Sequence, residues 1–299
     1  MKAISHFLPF LLLLIPIVWG LYGFFKTRNA SGKVLPAGRR SAAILVINSA
    51  VLYALAFNII FFIQELFLAL GKRWLGLKAT LYHNNHNWEG NHPMESLAQG
   101  YGAAAIFVAG LIFLFVANRI KRSAHWSHLF ILWLAFQGLA QSIPQFITAK
   151  VAADTDTGQA FTYLGIGEGL GIVISITGII AMLYLGILFS KYLLRLSPSI
   201  DQVSIASARS GYLFRIAVLA SLVGLVLIIP FRIMPWDRAI APVMVTLISI
   251  PMVFAHGWHV SITETINSRI NNRIFILPVV LLLILLLIFQ LILAKGVPF

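Results

Sequence analysis

The chain contains no cysteine. Disulfides, thiolate metal sites, iron–sulfur clusters and cysteine nucleophiles are excluded at once, and the redox compartment is left open. Charge is scarce as well: 10% of residues are Asp, Glu, Lys or Arg, where soluble domains carry roughly 25%. Acids are the rarest, with 9 Asp and Glu against 22 Lys and Arg. The motifs of soluble enzymes are missing too, with no G-x-S-x-G elbow and no Ser/His/Asp arrangement. Gly165, Gly167, Gly169 and Gly171 superficially evoke a nucleotide loop. Leu170 breaks the G-x-G-x-x-G spacing and no Walker lysine follows. A nucleotide is therefore not an expected ligand, and close helix packing or a locally unwound segment accounts better for these glycines.

What the chain has in abundance is apolar sequence: 60% of its 299 residues are hydrophobic and the mean hydropathy is +0.91. Several apolar runs exceed the roughly 18 to 20 residues that cross a hydrocarbon core. The expected fold is an all-α, polytopic transmembrane bundle forming one integral membrane domain. Its spans fall at about 6–25, 42–70, 94–117, 128–148, 161–189, 211–231, 239–254 and 274–293, eight in all. The first run reads as an uncleaved helix, because Lys26, Arg28, Lys33, Arg39 and Arg40 follow it and Gly32 and Pro36 break the chain there. The second is longer than a crossing needs, so it tilts or projects. Pro93 suits the first turn of the third, and Pro144 predicts a kink in the fourth. Pro230, Pro235 and Pro251 interrupt the sixth and seventh.

The net charge of +13 comes from Lys and Arg in short loops, a positive-inside pattern and not a nucleic-acid surface. Alternate loops carry 14 of them and the other side 8. That places both termini and the loop after the second span outside, as in a bacterial inner membrane. The expected partners are the lipid bilayer and another membrane protein, not nucleic acid.

An ionisable group at membrane depth is costly and marks a functional site by default. Glu65 is such a group, flanked by Gln64, with Asn58 and Lys72 each two turns away on roughly the same face. It either works as a proton-handling carboxylate near the outer edge of the hydrocarbon or is paired there with Lys72 or Arg73. About twenty residues on, His83, His86 and His92 cluster beside Glu89. Three imidazoles in ten residues suit zinc or another divalent transition metal. Asn84, Asn85, Asn87, Gly90 and Asn91 suit a hydrated polar loop with Trp88 anchored at the interface. His125/His128 and His256/His259 repeat the His-x-x-His spacing, although the loop count puts them on the inner side. Gln137, Gln141 and Gln145 stack on one helix face with Ser142 alongside, as interhelical hydrogen bonds or as the wall of a polar cavity. Glu168 is a second carboxylate, able to meet Glu65 if the second and fifth spans are neighbours. Arg215, a turn inside the sixth span, can snorkel.

Gln64-Glu65-Leu66-Phe67-Leu68 falls where intramembrane site-2 metalloproteases carry H-E-x-x-H, on a helix leading into a polar excursion. The small-residue stretch Ala98 to Ala105 looks like that family's next helix, and Asp154-x-Asp156 is similar to its later acidic segment. The resemblance covers roughly residues 55–190, leaving about 211–294 as additional C-terminal helices. It implies a zinc-dependent hydrolase with Glu65 as the base. Gln64 and Leu68 replace the family's histidines, so His83, His86, His92 and Asp156 would have to ligate the metal. Two other functions stand beside this one. One is a non-enzymatic scaffold or proton and small-solute pathway through Glu65, Glu168 and the glutamine face. The other is a histidine-box membrane oxidoreductase.

Overall fold

The structure, a computed structural model, describes residues 2–28, 38–120, 126–232, 239–266 and 272–299. Gly32, Lys33, Pro36, Lys121, Arg122, His125 and Pro235 of the sequence reading lie outside the described residues. The protein is an all-α helical bundle. Among the described residues, six helical stretches are long and apolar enough to cross a membrane: Arg39–Trp74, Glu95–Arg119, Trp126–Thr148, Glu168–Arg195, Ala206–Phe231 and Ile276–Lys295. The apolar stretch Leu14–Thr27, part of the helix Lys2–Arg28, and the shorter apolar helix Ile240–Ala255 stand where the first and seventh spans are expected.

The bundle is built round α2 (Arg39–Trp74), whose middle is buried on every face from Asn48 to Asn58. A helix apolar all round belongs at the centre. It packs against α4 (Gly100–Arg119), α5 (Trp126–Thr148), α9 (Ala220–Ile228) and α11 (Ile276–Leu291). Tyr53 meets Trp133 edge-on with ring centroids 5.1 Å apart, and the aromatic chain continues through Phe136 to Phe189 of α7 (Glu168–Arg195). α1 (Lys2–Arg28) packs along α10 (Ile240–Ala255). Between α4 and α5 the backbones touch: a Cβ on Gly138 would lie 2.6 Å from Gly110 Cα and 2.7 Å from the Ile106 carbonyl. Small residues allow such approaches where lipid offers no competing hydrophobic force.

Three departures from the sequence expectations matter for the site. α2 runs past Gly71, which is packed under Tyr101 and Ala98, and stops at Trp74. Gly76, at φ 77°, then gives the left-handed residue of a closing motif in which Leu77 N donates to Lys72 O. The expected fifth span is broken: α6 (Asp156–Tyr163) ends at Gly165 (φ 63°), where Ile166 N donates to Phe161 O, and α7 starts at Glu168. The sixth span joins α8 (Ala206–Leu213) to α9 through a π-helical turn at Phe214–Leu219. Ser49 of α2 donates to the Ile216 carbonyl in that turn at 2.6 Å, in keeping with the shifted carbonyls of a π turn.

The His-rich segment is a β-hairpin. β1 (Lys78–Leu81) pairs antiparallel with β2 (His86–Glu89), Leu81 opposite His86. The C-terminal β3 (Val297–Pro298) adds to the other edge of β1. Ala79 and Leu81 face inward against Ala69, Phe289 and Leu293, seating the hairpin on the ends of α2 and α11.

Candidate functional site

Strand alternation in β2 decides which polar side chains enter the bundle. His86 is buried, Asn87 is exposed, Trp88 is half-buried and Glu89 is exposed. His86 stacks on Trp88 (5.7 Å, 14°) and meets α2 through Glu65: His86 Nδ1 lies 3.0 Å from Glu65 Oε2, both side chains 6% exposed. On its other side, His86 Nε2 lies 3.2 Å from Oε1 of the buried Gln99, which precedes α4. Carboxylate and amide oxygen both accept. A doubly protonated ring therefore donates to both, and a half-turn of the Gln99 amide presents an N–H to the neutral ring instead. The site accommodates either charge state without moving backbone.

Arg232, just beyond the sixth span, completes the electrostatics. It is 1% exposed, donates from Nη2 to Asn58 Oδ1 at 3.2 Å, and lies 3.9 Å over the Phe61 ring. Burial pulls its pKa down to about 10, opposed by the Glu65 charge nearby, so it is a cation at neutral pH. Two of its donors, Nε and Nη1, have no hydrogen-bond partner. Sequence reading missed Arg232 because it lies far along the chain from Glu65. It also missed Gln99, which looked like part of a small-residue helix.

Glu65 does not pair with Lys72 or Arg73. Lys72 lies 4.0 Å over the Trp88 ring and donates to the Glu95 carbonyl, with Glu95 and Asp156 as its acidic neighbours. The histidines diverge. His83 Nε2 bonds to the Phe231 carbonyl at 3.1 Å, and burial, reinforced by Arg232 against that bond, holds the ring below the usual imidazole range. His92 accepts from Met94 N through Nδ1 at 3.1 Å. Among the described residues no group of three His, Cys, Asp or Glu side chains is placed to hold a metal ion. Asp156 opens α6, half-buried. Glu168 is exposed at the start of α7, which packs on α5 and α10, so it does not meet Glu65.

The glutamine face forms a ladder. Gln141 Nε2 donates to Gln137 Oε1 (3.0 Å), Gln145 Nε2 to Gln64 Oε1 (3.1 Å), and Thr157 Oγ1 to Gln145 Oε1 (3.3 Å). Gln64 and Leu68 are also packed beneath Gly102, where a Cβ would meet Gln64 Cγ at 3.0 Å and Leu68 Cγ at 2.7 Å. Of the other histidine pairs, His128 is buried at the start of α5. His256 and His259 contact each other, Nδ1 to Nε2 at 3.1 Å, with His259 against Trp19 and Trp258. Compared with known protein families, with curated proteins and with solved structures, the chain matches none.

Proposed function

We propose that this integral membrane protein works by handling a proton at Glu65 and His86, as part of a proton or small-solute pathway. The carrying observation is the buried 3.0 Å contact between carboxylate and imidazole. Such a pair exchanges one proton between two bases, and Gln99 adapts to either state. Arg232 supplies a positive charge near the pair, while the ladder from Gln64 to Gln137 gives the neighbouring helices polar side chains. The test is reconstitution into vesicles with a pH-sensitive dye inside. An imposed potential should drive proton entry, and Glu65→Gln and His86→Gln should each slow it at least tenfold. Equal rates in wild type and Glu65→Gln end the reading.

A second reading, a degenerate site-2-type metallohydrolase, is favoured by one observation. A carboxylate on Nδ1 is how proteins orient a metal-binding imidazole, leaving Nε2 for the ion. Glu65 on His86 Nδ1 fits the first half of that arrangement, with Gln99 standing on Nε2 where the ion would bind, whereas Gln64 and Leu68, at the family's ligand positions, are engaged between helices. Zinc, if held, would polarise a water or a carbonyl. Elemental analysis of detergent-purified protein separates the two readings: stoichiometric zinc lost in His86→Ala favours the hydrolase. The positive-inside count further proposes a bacterial inner membrane with both termini outside, testable by labelling single cysteines introduced into the cysteine-free chain.

A further inference from the structure

Where the end of α1 meets the end of α10, aromatic rings and cations gather that the proton reading does not use. Trp19, Tyr22 and Trp258 contact one another, with ring centroids 5.3 to 6.1 Å apart. Trp258 is seated on Gly23, where a Cβ would overlap its ring, so the packing of the two helices fixes it in place. Lys26 Nζ stands 5.5 Å from the centroids of both Tyr22 and Trp258, within reach of a cation–π contact. Arg209 donates to the Ser204, Gly257 and Trp258 carbonyls. These bonds orient the guanidinium without cancelling its charge.

Three features define what this surface would take. First, it lacks negative charge. Of the chain's 9 acids, only Asp201 and Glu264 fall in the loops at this end, and they already contact Ser199 and Arg195. Among the described residues neither Lys26 nor Arg209 has a carboxylate in ion-pair contact. Second, Trp19 is 45% and Tyr22 52% exposed on an apolar helix, the amphipathic rings that mark the level where lipid head groups begin. Third, this is the end that carries the Lys- and Arg-rich loops, and basic pockets between helices at such a face suit anionic head groups. A zwitterionic head group would bring its own ammonium toward two unneutralised cations, whereas one of net negative charge would not. We infer that this surface binds the head group of an anionic phospholipid, with Lys26 on the phosphate and Trp19, Tyr22 and Trp258 beside the glycerol.

The test titrates delipidated full-length protein in a neutral detergent with phosphatidylglycerol or phosphatidylcholine of the same acyl chains, and native mass spectrometry reads the bound fraction. Phosphatidylglycerol should bind at least fivefold more tightly, and Lys26→Ala should remove most of that preference. Trp19→Ala with Tyr22→Ala, which deletes two exposed rings, should weaken phosphatidylglycerol binding as well. If Lys26→Ala does not fold, Lys26→Gln carries the decision. Lys191→Ala, which removes another exposed cation of the same end, should leave the preference intact. Equal affinity for the two lipids, or a preference unchanged in the Lys26 variant, overturns the site. An equal loss in Lys191→Ala would make the attraction a diffuse property of the basic face and overturns it too. So does release of the lipid by inorganic phosphate, which would make this a site for free anions. Glu65→Gln should bind phosphatidylglycerol as the wild type does, so failure of the proton reading and failure of the lipid site are read separately.

Discussion

Two histidine sites show how differently one side chain is used within this chain. At the hairpin, His86 has an acceptor on each ring nitrogen, Glu65 and Gln99, and is buried with them. After α10, His256 and His259 have chiefly each other. Arg209, anchored on the Gly257 and Trp258 carbonyls, and Lys26, 5.5 Å from the Trp258 ring, add positive charge nearby. Burial, and then His259, pushes the His256 pKa down to about 4. An imidazole between a carboxylate and an amide has a hydrogen-bond partner on each nitrogen. One beside cations and another imidazole is built to stay neutral.

The largest test of that contrast is Glu65→Leu. It leaves Arg232 without its acidic neighbour and His86 without its acceptor, and breaking a buried pair in this way costs about 3–5 kcal/mol. Thermal unfolding in detergent should register it, with Glu65→Gln losing clearly less. No loss in Glu65→Leu would mean that the pair is not part of the folded core. Next is Gln64→Leu, which removes one of the two acceptors of Gln145 Nε2 and leaves the Gln141 carbonyl, and should cost about 0.5–1.5 kcal/mol. A neutral result would make the ladder a lining and not a strut.

The pH dependence of the His256 end has a defined sign. Its folded pKa lies below the unfolded value near 6.5, so the unfolded chain binds more protons in between. Stability therefore falls as pH drops from about 6.5 to about 4. Hydrogen exchange at the end of α10 should quicken over that window, and His256→Asn should flatten the response. The smallest effect belongs to Glu168→Gln. An exposed carboxylate in the first turn of α7 should lose only its helix-dipole interaction, about 0.3–1 kcal/mol, and proton transfer should be unchanged.

How much of the site could be read in advance follows from which contacts are local. Glu65 stood out because a carboxylate in a long apolar run needs a reason, and Gln137, Gln141 and Gln145 because helix periodicity alone stacks them. Their partners did not stand out. Nothing in the spacing of His83, His86 and His92 says that His86 turns to Glu65 while His83 turns to the Phe231 carbonyl, since the hairpin sets which way each one faces. Hydropathy ends the second span at about residue 70, yet Gly71 lies inside α2 as a contact for Tyr101, and the stop lies at Gly76. Glu168 could meet Glu65 only if the second and fifth spans were neighbours, and α7 packs on α5 and α10 instead.

By itself the sequence determined that this is a bundle of membrane-spanning helices. Hydropathy and length fix that class, because backbone in lipid must satisfy its own hydrogen bonds. It also singled out Glu65 as a carboxylate that needs a partner. Only the tertiary structure decided that Glu65 answers to His86, Gln99 and Arg232, from three different parts of the chain. The reason is that the partner of a buried charge is chosen by whatever packing brings within a few ångströms, and no local pattern records that choice.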